Sequence, residues 1–205
     1  LVKLAYLARF MHHSGGVICE PVDVPVPVRH LEMNLAHLTL SDKPFLGVAT
    51  AGSRAADTIE MARIAAGVMD ERCLVASIIN INSPLVLDHT MLEALRVYAA
   101  ANQANVVTPF VMAGAMGPVS VAGMVTQILA EALAGCALTQ LVRPGSPVIL
   151  GVMMSGLNMR SGAPMRGAET WHTMAIMGAL ARRLGIPYRV GGATTTSKTL
   201  DLQAG

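Results

Sequence analysis

The chain has 205 residues, 53% of them hydrophobic and only 3% aromatic, and its 15 Lys and Arg against 13 Asp and Glu leave a net charge of +2. That length fits one domain, and that apolar content excludes a disordered chain. The balanced charge, with no basic cluster, excludes a nucleic-acid surface.

Leu1–Phe10 is apolar but interrupted by Lys3 and Arg9, and no convincing small-residue cleavage site follows. It reads as a helix rather than a signal peptide. The first residue is not Met and the last segment has no closing element, so residues 1–205 are expected to be an internal piece of a single, longer barrel domain. A Pro-rich extended piece, Pro21–Pro27, precedes a helix over Arg29–Leu40. Five apolar segments then recur: Phe45–Thr50, Cys73–Asn80, Asn105–Val111, Val148–Met154 and Tyr188–Gly191. Their spacing suits repeated strand–helix units. Helical stretches lie between them. Met61, Ile64, Ala65 and Val68 form an i, i+3, i+4, i+7 stripe. Asp88 is an N-cap for a helix lined by Met91, Leu92, Leu95, Tyr98 and Ala99. A third helix runs from Ser120 to the breakers Pro144-Gly145, and a fourth from Ala168 to Leu184 with Gly185 as its left-handed cap.

Between Arg96 and Arg143 lie forty-six residues with one charge, Glu131. By length this stretch is able to span a membrane. However, Pro109, Gly114, Gly117 and Pro118 interrupt it, and it has neither an aromatic belt nor an asymmetric basic flank. The expectation is a buried strand and a covering helix, because a strand covered on both faces reads as a continuous apolar run.

Alternating strands and helices without hairpin signals predict an α/β protein with a parallel sheet. Two closures fit: a partial (β/α)8 TIM barrel, or an open parallel doubly wound sheet. The turn Thr50-Ala-Gly-Ser-Arg54 has a single glycine, a poor phosphate-binding turn, so the barrel is preferred. In either fold the working edge is the C-terminal end of the strands. There Asn80 and Asn82 alternate to one side of a strand end, although Asn before Ser-Pro also suits turn capping. Thr108-Pro109-Phe110, the loop Ala113–Pro118 and the long stretch Ser155–Glu169, with Asn158, Arg160 and Arg166, sit at the same edge.

No G-x-S-x-G elbow, H-E-x-x-H or P-loop is present, and no metal site is expected. His12 and His13 are adjacent and point apart on a helix. His30 is expected to open a surface helix, His89 to lie in a first turn, and His172 to be structural. Glu131, a lone carboxylate in an apolar helix, is expected on its wet outer side. Cys19, Cys73 and Cys136 are odd in number and widely spaced, which argues against a disulfide framework or zinc site and for a reducing cytoplasm. Each is expected as a buried thiol.

Several separated blocks together resemble the trimethylamine methyltransferase family of corrinoid-dependent enzymes. They are Asp23-Val-Pro with Arg29-His-Leu31, Ser41-Asp-Lys-Pro-Phe45, Asn80-Ile-Asn-Ser-Pro84, and Thr108-Pro-Phe110 with Ala113-Gly-Ala-Met116. Further along come Glu131-Ala-Leu-Ala-Gly135, Gln140-Leu-Val-Arg-Pro-Gly145, Met159-Arg-Ser-Gly-Ala-Pro164, and Ser197-Lys198 with Asp201 and Gln203-Ala204. Members of that family are (β/α)8 barrels more than twice this length, and some carry pyrrolysine.

The resemblance implies methyl transfer from a methylated amine, trimethylamine or a quaternary amine such as glycine betaine, to the cobalt of a separate corrinoid (cobalamin) protein. The chain itself is then expected to bind no cofactor. No catalytic residue is assigned. Asn80, Asn82, Thr108 and Arg160 are the expected substrate-binding residues, Arg160 for a substrate carboxylate or the docking surface. Gly191 and Gly192 open the small, polar segment Gly191–Ser197, a candidate substrate-end loop. A non-catalytic, barrel-derived binding module is the alternative. A partial barrel exposes sheet edges, so a homo-oligomer is expected.

Overall fold

The computed structural model describes residues 2–7, 20–67, 69 and 71–191. Its elements in chain order are α1 (Val2–Leu7), α2 (Arg29–Leu40), β1 (Phe45–Leu46), α3 (Gly52–Ala66), β2 (Val75–Asn82) and α4 (His89–Ala100). After these come β3 (Ala104–Met112), α5 (Val121–Val142), β4 (Val148–Leu157), β5 (Pro164–Met165), α6 (Ala168–Leu184) and β6 (Tyr188–Val190). The sheet order is β1-β2-β3-β4-β5, with β6 also paired to β4. Strands β1 and β2 pair in parallel, as do β4 and β6. Each helix-linked strand therefore lies beside the one before it, with no topological switch point. That order belongs to a partial (β/α)8 barrel and not to a doubly wound sheet.

By Cα packing the chain divides into two compact units. The first comprises Leu1–Ile79, Asp88–Val106 and Ala137–Val148. Its buried interior includes Phe45, Ile59, Val75, Leu95 and Tyr98. The Tyr98 hydroxyl donates to the Val48 carbonyl at 2.8 Å, and burial raises its pKa. Gln103 is fully buried. Its Oε1 accepts from the Leu74 and Val75 amides at 2.9 and 3.0 Å, and its Nε2 donates to the carbonyls of Met69, Arg72, Ala101 and Asn102. One side chain thus ties the entry of β2 to the α4–β3 turn.

Two expectations in this unit need correcting. The buried face of α3 is Ala55, Thr58, Ile59 and Ala62, whereas Ile64 is 77% exposed. The period is as expected but the phase is not. Two alanines and a threonine make a close-packing face, and Asn34 Nδ2 donates to Thr58 Oγ1 across from α2. Val68 lies outside the described residues. His30 is buried rather than on the surface, and its Nε2 lies 2.8 Å from Asp57 Oδ2. Cys73 is exposed, against expectation, while Cys136 is buried and its thiol is pushed up to about 11 by that burial. Cys19, His12 and His13 lie outside the described residues.

The second unit comprises Asn80–Leu87, Val107–Cys136 and Ile149–Gly205. Its core joins Val111, Met124, Ile128, Ala132, Leu150, Val152, Met154, Met174 and Met177. Each Val, Leu, Ile and Met side chain among them contributes about 1.5–3 kcal/mol on burial. By length and composition α5 qualifies as a membrane span. Here Met124, Ile128 and Ala132 of that helix pack on strand residues, as expected for a covering helix.

The caps follow the sequence. Asp88 Oδ1 accepts from the Met91 amide at 2.8 Å, and Gly185 takes a φ of 68° at the end of α6. One stretch departs from expectation. Ser155–Glu169 is not a plain loop, because β4 extends to Leu157 and turns back to pair antiparallel with β5. Asn158 makes that hairpin: its Oδ1 accepts from the amides of Arg160 and Ser161, and its carbonyl accepts from Gly162, whose φ is 71°.

Candidate functional site

The strands determine which side chains share a face. Along β2, Val75, Ser77, Ile79 and Ile81 are buried, while Asn80 and Asn82 are exposed. Ser77 Oγ lies 2.9 Å from Asn105 Oδ1, so the odd residues of β2 and β3 share a face. The Ala113 amide donates to the Ser155 carbonyl at 2.9 Å, which sets β3 against β4 and places Thr108 beside Gly151. The opposite face therefore carries Asn80 and Asn82 from β2, Thr108 and Phe110 from β3, and Met153 and Ser155 from β4. All lie toward the C-terminal strand ends in the second unit.

The arrangement is mixed in polarity and partly open. Asn80 and Asn82 are exposed, and Phe110 and Met153 are each 37% exposed. Ser155 is 8% exposed and its hydroxyl has no hydrogen-bond partner. Arg166 reaches this face from beyond β5, with Nη2 3.5 Å from Met153 Sδ. Gly191, just past β6, is beside the same two residues: a Cβ there would lie 3.3 Å from Met153 Sδ and 3.5 Å from Arg166 Nη2.

Thr108 is only 4% exposed and packs over Gly151. A Cβ at Gly151 would overlap Thr108 Oγ1. Gly151→Ala is therefore expected to force Thr108 off its rotamer and cost about 1–3 kcal/mol, read as a lower denaturation midpoint. An unchanged midpoint would show that Thr108 moves freely.

The loop after β2 is held by α5. Glu131 is 2% exposed, not on the wet side of its helix as expected. It accepts from the Ser83 hydroxyl at 2.5 Å, the Leu85 amide at 3.0 Å and Gln127 Nε2 at 3.0 Å. Gln127 Nε2 also donates to the Met116 carbonyl at 3.1 Å. Glu131 thus fixes the backbone that leaves Asn82, and Gln127 links it to the loop after β3.

Of the expected residues, the structure brings Asn80, Asn82, Thr108 and Gly191 to one strand-end face. Arg160 sits in the hairpin turn, exposed, and its guanidinium bonds no described residue. Gly192 lies outside the described residues. Phe110, Met153, Ser155, Arg166 and Glu131 were not among the expected site residues. Strand alternation from Thr108 was a signal for Phe110; the position of Glu131 had none. Among the described residues no group of three His, Cys, Asp or Glu is placed to hold a metal.

A strand-end face of this kind, on strands that follow one another in chain order, fits a (β/α)8 barrel scaffold. The chain belongs to the trimethylamine methyltransferase (MTTB) family, whose model matches residues 1–205. It is 44% identical over 207 residues to the glycine betaine methyltransferase of Desulfitobacterium hafniense (strain Y51), covering 99% of this chain and 43% of that protein. To the proline betaine:corrinoid methyltransferase of Eubacterium limosum it is 34% identical over 124 residues, 60% of this chain and 26% of that protein. The trimethylamine methyltransferase MttB of Methanosarcina thermophila is 36% identical over 95 residues, 46% of this chain and 20% of that protein. The chain thus spans less than half the length of these relatives.

Proposed function

We propose that the protein carrying this chain moves a methyl group from a methylated amine, a quaternary betaine in first place, to the cobalt of a separate corrinoid protein. The observation that supports this is the face of Asn80, Asn82, Phe110, Met153, Ser155 and Arg166, read beside the 44% identity to a glycine betaine methyltransferase. In the reaction the reduced acceptor provides an electron pair to the methyl carbon, the C–N bond breaks, and its electrons remain on nitrogen as a neutral tertiary amine.

This chemistry asks the protein for placement and desolvation, not for a base, because a quaternary ammonium has no proton to lose. Phe110 offers an aromatic face to the cation, and Met153 an apolar, polarizable neighbour. Asn80, Asn82 and the Ser155 hydroxyl supply dipoles and hydrogen bonds. Arg166 supplies the positive charge that a betaine carboxylate needs and that trimethylamine does not. Glu131 acts through the loop it holds, as a positioning residue.

The test is to incubate the full-length protein with a reduced corrinoid partner and candidate amines. Methyl-cobalt formation with a betaine is expected. Its absence with every quaternary and tertiary amine would overturn the reading, and ligand-induced stabilisation without transfer would point to a binding module instead. Phe110→Ala is expected to lower kcat/KM about tenfold, the scale of a desolvated cation–π contact. Arg166→Met is expected to raise KM for betaines and leave trimethylamine turnover unchanged.

A further inference from the structure

The pairing of β6 with β4 puts a second arginine on the strand face of the site. Leu150 is in register with Tyr188, and Gly151 with Arg189. Leu150 belongs to the core with Met124 of α5 and Met174 of α6, and the Tyr188 hydroxyl donates to the Met174 carbonyl at 2.9 Å. Neighbours along a strand point to opposite sides. Arg189 and Gly151 therefore share the other face, together with Thr108, which packs over Gly151. Two residues further along these strands come Phe110, Met153 and Gly191, about 6–7 Å nearer the C-terminal ends. The face thus has a deeper row of Thr108, Gly151 and Arg189 and an upper row of Phe110, Met153 and Gly191.

This face carries two guanidinium groups and no described carboxylate. The acids among the described residues of the second unit are Glu131 and Glu169. Glu131 is taken by Ser83, Leu85 and Gln127, and Glu169 stands in the first turn of α6. Arg189 is half-buried and makes neither a hydrogen bond nor an ion pair with any described residue. The inside of a barrel is ordinarily filled by apolar side chains, and a cation there needs an anion. Gly151 beside Arg189 and Gly191 above it bring no side chain, which leaves room for one. Arg166 borders the same gap, since a Cβ at Gly191 would lie 3.5 Å from its Nη2.

We propose that Arg189 is a specificity-determining residue that takes the carboxylate of a betaine in the gap at Gly191, with Arg166 on its upper side. The substrate is thereby oriented. Its carboxylate lies toward the deeper row, and its N-methyl groups lie in the upper row by Phe110 and Met153. They then face the strand ends, the side from which an acceptor carried on another protein approaches. This inference rests on the methyl-transfer reading and adds to it the direction in which the methyl donor is held.

Glycine betaine and tetramethylammonium, which has the cation but no carboxylate, are titrated calorimetrically into the full-length protein. Arg189→Met is expected to weaken glycine betaine at least about tenfold, the scale of a hydrogen bond to a charged group, and to leave tetramethylammonium within about twofold. Arg189→Lys, which keeps the charge but not the planar fork, is expected to fall between. An unchanged affinity of Arg189→Met for glycine betaine would overturn the proposal. So would an equal loss for both ligands, the result if Arg189 only pairs with an acid elsewhere in the barrel. Methyl-cobalt formation separates this inference from the reading beneath it. Turnover of a betaine with no effect of Arg189→Met removes the role of Arg189 alone. Betaine binding that depends on Arg189 without any turnover supports that role and removes the methyl-transfer reading.

Discussion

Gln103→Glu is expected to leave the first unit unable to fold at ordinary temperature. The wild-type amide uses both ends: its oxygen accepts two amides that open β2, and its nitrogen donates to four carbonyls. A carboxylate keeps the first set and replaces the second with oxygen facing oxygen, at a position with no exposure. An ion buried without a partner costs several kcal/mol, a large part of the stability of an ordinary domain. Gln103→Ala is milder and still leaves two strand amides unpaired, at about 1–3 kcal/mol each. Thermal melts followed by circular dichroism measure both. A Gln103→Glu protein that melts within a degree or two of the wild type would mean that the amide network contributes nothing.

The second large effect is expected at Glu131. Alanine there removes the acceptor for Ser83, Leu85 and Gln127 together. Leaving three buried donors without their acceptor costs at least about 3 kcal/mol, at about 1 kcal/mol or more each. At about 2–4 °C per kcal/mol for a chain of this size, the melting temperature falls by roughly 10 °C. Glu131→Gln keeps one acceptor oxygen but adds donors toward groups that already donate, so an intermediate loss is expected. If Glu131 positions the residues after β2, Glu131→Gln also lowers kcat for methyl transfer at temperatures where the protein remains folded. A purely structural role would change the melting temperature and leave kcat alone.

These two residues also show what was legible in the sequence. Signals that act within a few residues were readable: the Asp88 cap, the left-handed Gly185, and the helix limits at Pro144-Gly145 and Leu184. The neighbour-by-neighbour sheet was readable because strand–helix spacing constrains it. Glu131 was not, since Leu85, which it binds, is 46 positions away and only the fold brings them together. The phase of α3 was missed because Ala55 and Ala62 announce close packing less loudly than Ile64 announces burial, yet Ile64 is the exposed one. That Arg166, and not Arg160, lies beside Met153 was hidden for a related reason. The hairpin that turns at Asn158 carries Arg160 out on its tip and brings Arg166 back beside Met153.

The strand order has a consequence for synthesis. Each helix-linked strand pairs with the one before it, from β1 through β4 and then β6. A nascent chain emerging from the ribosome therefore always finds its next partner already made. Sheet growth is vectorial and needs no late strand inserted between two early ones, so sequence separation within each pairing stays short and loop-closure cost stays low. An arrest series that halts translation after Asn82, Met112 and Leu157 is the natural way to watch protease protection grow one strand–helix step at a time.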